Sequence, residues 1–193
     1  LGSGKTTLVK HILANKQGIR FAVIVNDIGE VNIDADLIQK GGIVGKKDES
    51  LVALQNGCIC CTLKTDLIEQ IGEIMRMERF DYIVIEASGI CEPEPIAQTI
   101  CSIPRLDGIT TVVDALRLQD EFACGNDLTR KGIDEEDIEN LIIQQIEFCN
   151  IILLNKAAEV KPEELERIKQ IIRTLQPAAE IIECNYADVD LKK

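Results

Sequence analysis

Short runs of apolar residues alternate along this chain with longer stretches in which apolar residues recur every three or four positions. The short runs are uninterrupted and rich in β-branched residues, which is typical of strands buried on both faces of a parallel sheet. Runs of this kind predict strands at Phe21–Val25, Tyr82–Ile85, Ile109–Val113, Ile151–Leu154 and Ile181–Ile182. The longer stretches predict helices at Lys5–Ala14, Thr62–Met77, Glu135–Phe148 and Pro162–Leu175.

This alternation predicts an α/β fold, a three-layer αβα sandwich around a mostly parallel, doubly wound sheet. Ligands bind such folds at the carboxyl ends of the strands. Four of the five predicted strands end in polar or acidic residues, so the same edge is expected to carry the chemistry. The stretch from Cys124 to Asp137 is the most loop-like part of the sequence and is expected to be mobile.

Length and charge narrow the classes of function. A chain of 193 residues suits one compact domain. Its net charge of −12 would repel phosphate backbones, so nucleic acid is not an expected partner. No apolar stretch reaches the roughly 18–20 residues that span a bilayer. The first residues lack the features of a signal peptide, so the cytoplasm is the expected location.

The beginning of the chain matches the second half of the phosphate-binding P-loop motif, G-x-x-x-x-G-K-[ST]. The matching residues are Gly2, Ser3, Gly4, Lys5, Thr6 and Thr7. Backbone N–H groups of such a loop cradle phosphate oxygens, Lys5 would reach the β and γ phosphates, and the Thr6 hydroxyl would ligate Mg²⁺. The motif's first glycine and the strand that feeds it are expected to lie before Leu1.

Further candidates lie after the predicted strands. Glu86 could support the Mg²⁺ shell or orient a water molecule, and Gly89 would let the backbone approach the γ-phosphate. A capping or solvated acid is the alternative for Glu86. Asp27 and Glu30 follow the first predicted strand and are candidates for a switch region, with ordinary acidic loop residues as the alternative.

Asn155 and Lys156 follow the fourth predicted strand, where GTPases carry an N-K-x-D motif. In that motif the Asn supports the loop, the Lys packs over the base, and the Asp accepts the guanine N1 and N2 hydrogens. Ala158 stands at the Asp position, which removes the acceptor that selects guanine. Glu159 is one residue late and could substitute for the Asp, and an NTPase unselective for guanine is the other alternative.

Three thiols are packed into four positions at Cys58, Cys60 and Cys61. Thiolates are soft ligands that suit Zn²⁺ and other thiophilic ions, and a three-ligand site suits transfer of a metal better than permanent structure. A redox pair or inert thiols are the alternatives. Cys101 and Cys149 lie in apolar surroundings and are expected to be small core residues. His11 is expected to be a packing or surface residue, and Cys91 is ambiguous.

Taken together, these motifs resemble the CobW-like P-loop GTPases, relatives of the UreG and HypB metallochaperones. The most specific element is Cys-x-Cys-Cys after Asn-Gly in a chain that also has a P-loop. The pieces that carry the resemblance are Gly2–Thr7, Val25–Glu30 with Asp34, Asn56–Cys61, Ile85–Gly89 with Glu92 and Pro93, Val112–Ala115, and Gln145–Glu147 leading to Leu154–Lys156.

The resemblance implies one GTPase domain over residues 1–193. One departure from the family is that these residues do not include the separate C-terminal domain often found in it. It implies GTP binding, hydrolysis to GDP, and delivery of zinc or cobalt to a client protein. Cys58, Cys60 and Cys61 would bind the metal, with Glu30 assisting. Lys5 would act in hydrolysis, with Glu86 or Asp27 positioning water, and a partner or homodimerisation is expected to accelerate turnover. A metal-sensing or storage module with a vestigial nucleotide site is the alternative.

Overall fold

A computed structural model of the chain describes residues 2–14, 18–25, 64–101 and 106–190. The helices in these ranges are α1 (Lys5–Leu13), α2 (Lys64–Arg76), α3 (Pro93–Ile100), α4 (Ala115–Glu121), α5 (Ile138–Glu147) and α6 (Pro162–Leu175). The strands are β1 (Phe21–Val25), β2 (Tyr82–Glu86), β3 (Thr110–Asp114), β4 (Ile151–Asn155) and β5 (Glu180–Glu183). Short 3₁₀ segments lie at Ala123–Thr129 and Ala157–Glu159.

The described residues divide into two compact units, each with its own parallel sheet. The first unit contains residues 2–5, 92–94 and 106–190, and its sheet has the order β3-β4-β5. The second unit contains residues 6–14, 18–25, 64–91 and 95–101, and β1 pairs with β2 there. Parallel strands joined through helices confirm the predicted α/β class, and each predicted strand forms within two residues of its expected bounds.

The central strand of the first unit explains why its sequence is continuously apolar. Ile152, Leu153 and Leu154 are all nearly inaccessible to solvent, so β4 is buried on both faces. Helix α6 packs against this strand and buries Ile168 and Ile172. Helix α6 begins at a proline in its first turn, where the missing N–H costs nothing, and its bounds match the prediction.

In the second unit, strand β1 packs against helix α2. Ala22 and Ile24 share a core with Leu67, Ile71 and Ile74, which recur on α2 at spacings of three and four. Helix α2 is described from Lys64 onward, so residues 62 and 63 of the predicted helix lie outside the described ranges.

An ion pair marks the residues before β1 and β2 in the same unit. The backbone N of Arg20 donates to Asp81 Oδ2 over 2.8 Å, and the Arg20 Nη2 lies 2.9 Å from Oδ1. Hydrogen bonds from Arg20 lower the pKa of Asp81 from 3.8 to about 2. This pair holds the amino ends of the two parallel strands together.

The structure differs from the predictions in four places. Helices α3 and α4 were not predicted, because each spans only about two turns. Helix α5 begins at Ile138 rather than Glu135, because the Asp137 carboxylate accepts the Asp134 N–H and forms a turn. The expectation of a loop after Cys124 is wrong for its first part, where Leu128 is buried in the core. Cys149 is buried as expected, whereas Cys101 is exposed and is not a core residue.

Within these described ranges, no helix combines the length and the apolar composition that crossing a bilayer requires.

Candidate functional site

The P-loop residues form a turn that leads directly into helix α1. Gly2 has a φ of 80° and Gly4 a φ of 110°, values that L side chains rarely adopt. Helix α1 then begins at Lys5, with Thr6 and Thr7 in its first turn. The first N–H groups of a helix have no partner within the helix, so this end attracts anions such as phosphate.

Asn155 joins the P-loop to the end of strand β4. Its Nδ2 donates to the Ser3 carbonyl over 2.8 Å. A Cβ atom on Gly4 would lie only 2.5 Å from the same Nδ2, so glycine is required there for a steric reason as well as for its φ. The Asn155 Oδ1 accepts the Ala187 N–H over 2.9 Å. One buried amide therefore holds two turns of the first unit.

Lys156 forms an ion pair with Asp114, the last residue of the neighbouring strand β3. Its Nζ lies 2.5 Å from Asp114 Oδ2, and this hydrogen bond raises the pKa of Lys156. The other carboxylate oxygen accepts the Arg117 N–H and caps helix α4. Asp114 lies in one of the pieces that carry the resemblance but was given no role of its own, although its place at the end of a buried strand was a usable signal.

The turn after β5 completes this edge of the first unit. The Cys184 N–H donates to the Leu154 carbonyl, and the Ala157 N–H donates to the Cys184 carbonyl. The Asn185 Oδ1 accepts the Ala158 N–H over 2.9 Å. Asn185 was also missed, and the signal that could have found it is again its position directly after a strand.

In the second unit, Glu86 ends β2 and is 7% exposed. The Thr6 hydroxyl donates to Glu86 Oε1 over 3.3 Å. A hydroxyl beside a carboxylate supplies the oxygen ligands that Mg²⁺ prefers, so these residues fit that ion. Gly89 lies in the turn after β2, which is closed by a hydrogen bond from the Cys91 N–H to the Ser88 carbonyl.

The residues predicted to bind the transition metal, and the predicted catalytic residue Asp27, cannot be placed in this geometry. Asp27, Glu30, Cys58, Cys60 and Cys61 lie outside the described residues and stay predictions. Within the ranges that the structure covers, no group of three or more His, Cys, Asp or Glu residues could hold a metal ion. Four cysteines there are buried with free thiols: Cys91, Cys124, Cys149 and Cys184. His11 lies in α1 and is partly buried.

Comparisons with known proteins agree with this arrangement. The chain is 38% identical over 216 residues to the zinc-regulated GTPase metalloprotein activator 1 of Dictyostelium discoideum, covering 100% of this chain and 46% of that protein. It is 37% identical over 200 residues to the protein of the same name from Schizosaccharomyces pombe, covering 98% and 45%. The chain thus spans about half the length of the curated relatives it matches.

A solved structure confirms the fold. The Zn(II)-bound YjiA GTPase from Escherichia coli matches with a TM-score of 0.64 at 24% identity, over 100% of this chain and 57% of that one. Residues 1–183 match the family model described as the CobW/HypB/UreG nucleotide-binding domain. The chain belongs to the CobW/HypB/UreG family of nucleotide-binding domains.

Proposed function

We propose that this chain binds and hydrolyses GTP, and that hydrolysis drives delivery of zinc or cobalt to a client metalloprotein. The observation that carries the proposal is the support of the P-loop backbone by Asn155, whose amide donates to the Ser3 carbonyl. A loop held in this way keeps its N–H groups in place for phosphate before any ligand arrives, which is the arrangement that phosphoryl transfer requires.

The chain's own residues take distinct roles in hydrolysis. Lys5 offsets the negative charge that develops on the transferred phosphoryl group, together with the backbone of Gly2, Ser3 and Gly4. Glu86 or Asp27 orients the attacking water. Thr6 would hold Mg²⁺, which when bound supplies further positive charge at the phosphates. The contact between Thr6 and Glu86 supports this assignment, because it sets a ligand hydroxyl beside an acid.

The remaining P-loop and strand-end residues bind the nucleotide. Thr7 lies in the first turn of α1, and Gly89 lies in the turn after β2. Asn155 supports the loop that surrounds the phosphates, and Lys156 packs over the base.

The metal is the cargo of this cycle rather than a resident cofactor. We propose that Cys58, Cys60 and Cys61 hold it as thiolates, with Glu30 assisting, and that the nucleotide state changes their geometry. The names of the relatives, a zinc-regulated metalloprotein activator and a zinc-bound GTPase, support zinc as the metal. Thiols must stay reduced to bind metal, so we place the protein in the cytoplasm. A client metalloprotein or a homodimer would accelerate turnover.

The Lys5→Ala variant tests the hydrolysis. Phosphate release from GTP should fall by about 100-fold or more, because charge stabilisation at the transferred group is lost. Lys10→Ala, later in the same helix, is the matched control and should keep its turnover. Undiminished turnover in Lys5→Ala would remove the P-loop from the mechanism. Absence of GTP, GDP and ATP binding to the parent chain in isothermal titration would favour a metal sensor or store.

Replacing Cys60 or Cys61 by serine tests the cargo site. Zinc affinity, measured by competition with a chromogenic chelator, should fall by more than the roughly 10- to 100-fold that loss of an outer-shell partner costs. Cys101→Ser is the control, because Cys101 is exposed and stands outside the motif. Equal zinc affinity in all three variants and the parent would contradict the site.

A further inference from the structure

We propose that this domain does not select guanine with a carboxylate, and that the carboxamide of Asn185 takes that position and accepts guanine and adenine alike. GTP and ATP are then both substrates. The inference rests on the nucleotide site of the proposed function and adds the class of base that it admits.

Asn185 lies against the residue where a guanine-reading acid would stand. Ala158 is in the short 3₁₀ turn after Lys156, and its methyl side chain is exposed and offers no hydrogen-bond acceptor. The Ala158 N–H donates to Asn185 Oδ1 over 2.9 Å. The Asn185 side chain is therefore held beside position 158, and it is itself exposed.

The turn that carries Asn185 is held at both ends by hydrogen bonds. The Cys184 N–H donates to the Leu154 carbonyl over 3.0 Å, which extends the β4–β5 ladder to this residue. On the other side, the Ala187 N–H donates to Asn155 Oδ1 over 2.9 Å. Asn185 itself closes the turn, since its carbonyl accepts the Asp188 N–H over 3.0 Å. A side chain on such a turn is positioned before a ligand binds, which reduces the entropy that binding costs.

The other acids near this turn are less suited to read guanine. Both oxygens of Asp114 are engaged, one with Lys156 and one with the Arg117 N–H, and its side chain is only 10% exposed. Glu159 follows Ala158 and is exposed. It is the carboxylate that the experiment must test directly.

A carboxamide reads the two purines differently from a carboxylate. A carboxylate accepts two hydrogens from guanine N1 and N2 and offers no donor to adenine N1. The Asn185 Oδ1 keeps a second lone pair, and its Nδ2 donates to no group within the described ranges. An amide can therefore accept guanine N1–H while donating to O6, or accept adenine N6–H while donating to N1. Discrimination between the bases should be small.

Isothermal titration of the full chain with Mg²⁺ and non-hydrolysable analogues of GTP and ATP tests the inference. The two dissociation constants should lie within about tenfold of each other, since a bidentate contact that favours one base is absent. A preference for GTP above about 100-fold would overturn the inference while leaving the proposed function intact. Binding of neither nucleotide would overturn the proposed function itself, and the inference with it.

Isosteric variants assign the effect to Asn185. Asn185→Asp keeps an acceptor for the Ala158 N–H, removes the donor, and should raise the preference for GTP over ATP by about 10- to 100-fold. Ala158→Asp restores the acid at the motif position and should shift the ratio in the same direction. Glu159→Gln should leave the ratio unchanged. Loss of a guanine preference in Glu159→Gln, or no change in a folded Asn185→Asp, would overturn the assignment.

Discussion

The Asn155 side chain supports two turns because its amide has both a hydrogen-bond donor and an acceptor. Its Nδ2 donates to the Ser3 carbonyl, its Oδ1 accepts the Ala187 N–H, and the residue is 3% exposed. An aspartate would lose the donor to Ser3, and a leucine would lose the hydrogen bonds to both Ser3 and Ala187.

Replacing Gly4 by alanine should weaken nucleotide binding and stability together. The new methyl would meet Asn155 Nδ2 at 2.5 Å, and the buried amide cannot move away without breaking its own bonds. We expect the free energy of unfolding to fall by about 1–3 kcal/mol, measured by urea titration, and a parallel loss of GTP affinity.

Gly132→Ala is the control for this prediction. Gly132 also has a positive φ, 78°, but open space surrounds the position of its Cβ. In Gly132→Ala the free energy of unfolding should fall only by the cost of the backbone conformation. The GTP affinity of this variant should be unaltered. Equal losses in Gly4→Ala and Gly132→Ala would show that the contact with Asn155 does not matter.

At this scale the sequence allowed some contacts to be anticipated and hid others. Asn155 and Lys156 could be singled out because they form part of a recognisable spacing after a strand. The pairings of Lys156 with Asp114 and of Ala158 with Asn185 could not, because the partners are distant in the chain. They become neighbours only through the strand order β3-β4-β5.

Among the elements, prediction was most accurate where burial restricts the sequence to apolar residues. A strand buried on both faces, such as β4, must be continuously apolar, and α6 has a proline at its start and a regular apolar stripe. The segment Ala123–Thr129 has neither signal. Its sequence contains Gly, Asn and Asp, yet it buries Cys124, Gly125 and Leu128, because tertiary packing overrides the local preference for a loop.

Gly125 is the element-scale test of that packing. It has a φ of 91°, and a Cβ there would lie 3.1 Å from the Cγ2 and 3.3 Å from the Cβ of Ile171. The Ile171 Cβ is fixed to the backbone of α6, so it can yield only if the helix moves. Gly125→Ala should therefore lower the free energy of unfolding by about 1–3 kcal/mol.

Gly132→Ala serves again as the reference, since it has the same sign of φ without a neighbour. The difference between the two variants in urea midpoint isolates the contact with Ile171. If Gly125→Ala is no worse than Gly132→Ala, the 3₁₀ segment is not packed against α6 as described.

For the molecule as a whole, stability should be greatest between weakly acidic and weakly alkaline pH. The folded pKa of Asp81, about 2, lies below its ordinary value of 3.8. Its contribution is therefore present above that ordinary value and is lost as the pH falls toward 2. Burial raises the thiol pKa of Cys149 and Cys184 above 9.0. Stability should thus also fall as the pH rises through 9, where the unfolded thiols ionise first.

Urea midpoints measured across this pH range check the predicted losses of stability at acid and at alkaline pH. Asp81→Asn should be less stable than the parent at neutral pH and should lose that difference near the acid end. Cys149→Ala should be less stable throughout but should decline less steeply on the alkaline side. Parallel curves for the parent and both variants would contradict these assignments.

At the same scale, the class of fold follows from the alternation of strand and helix, and the family follows from motifs. The proposed cargo site rests on its cysteine spacing and on the relatives' names rather than on geometry, because Cys58, Cys60 and Cys61 lie outside the described residues. The charge of −12 argued against nucleic acid as a partner but located no site. Net charge is a sum, whereas a site depends on which side chains the fold brings together.

The pairing of Asp114 with Asn155 across β3 and β4 limits how this chain can change in length. Successive strand residues point to opposite faces, so inserting or deleting one residue within either strand would turn the polar end away from its partners. Between Lys131 and Glu136 the chain is mostly exposed and lies outside any helix or strand. An insertion or deletion there does not change the pairing of β3 with β4. Homologous chains should therefore differ in length there and keep these two strands free of insertions and deletions.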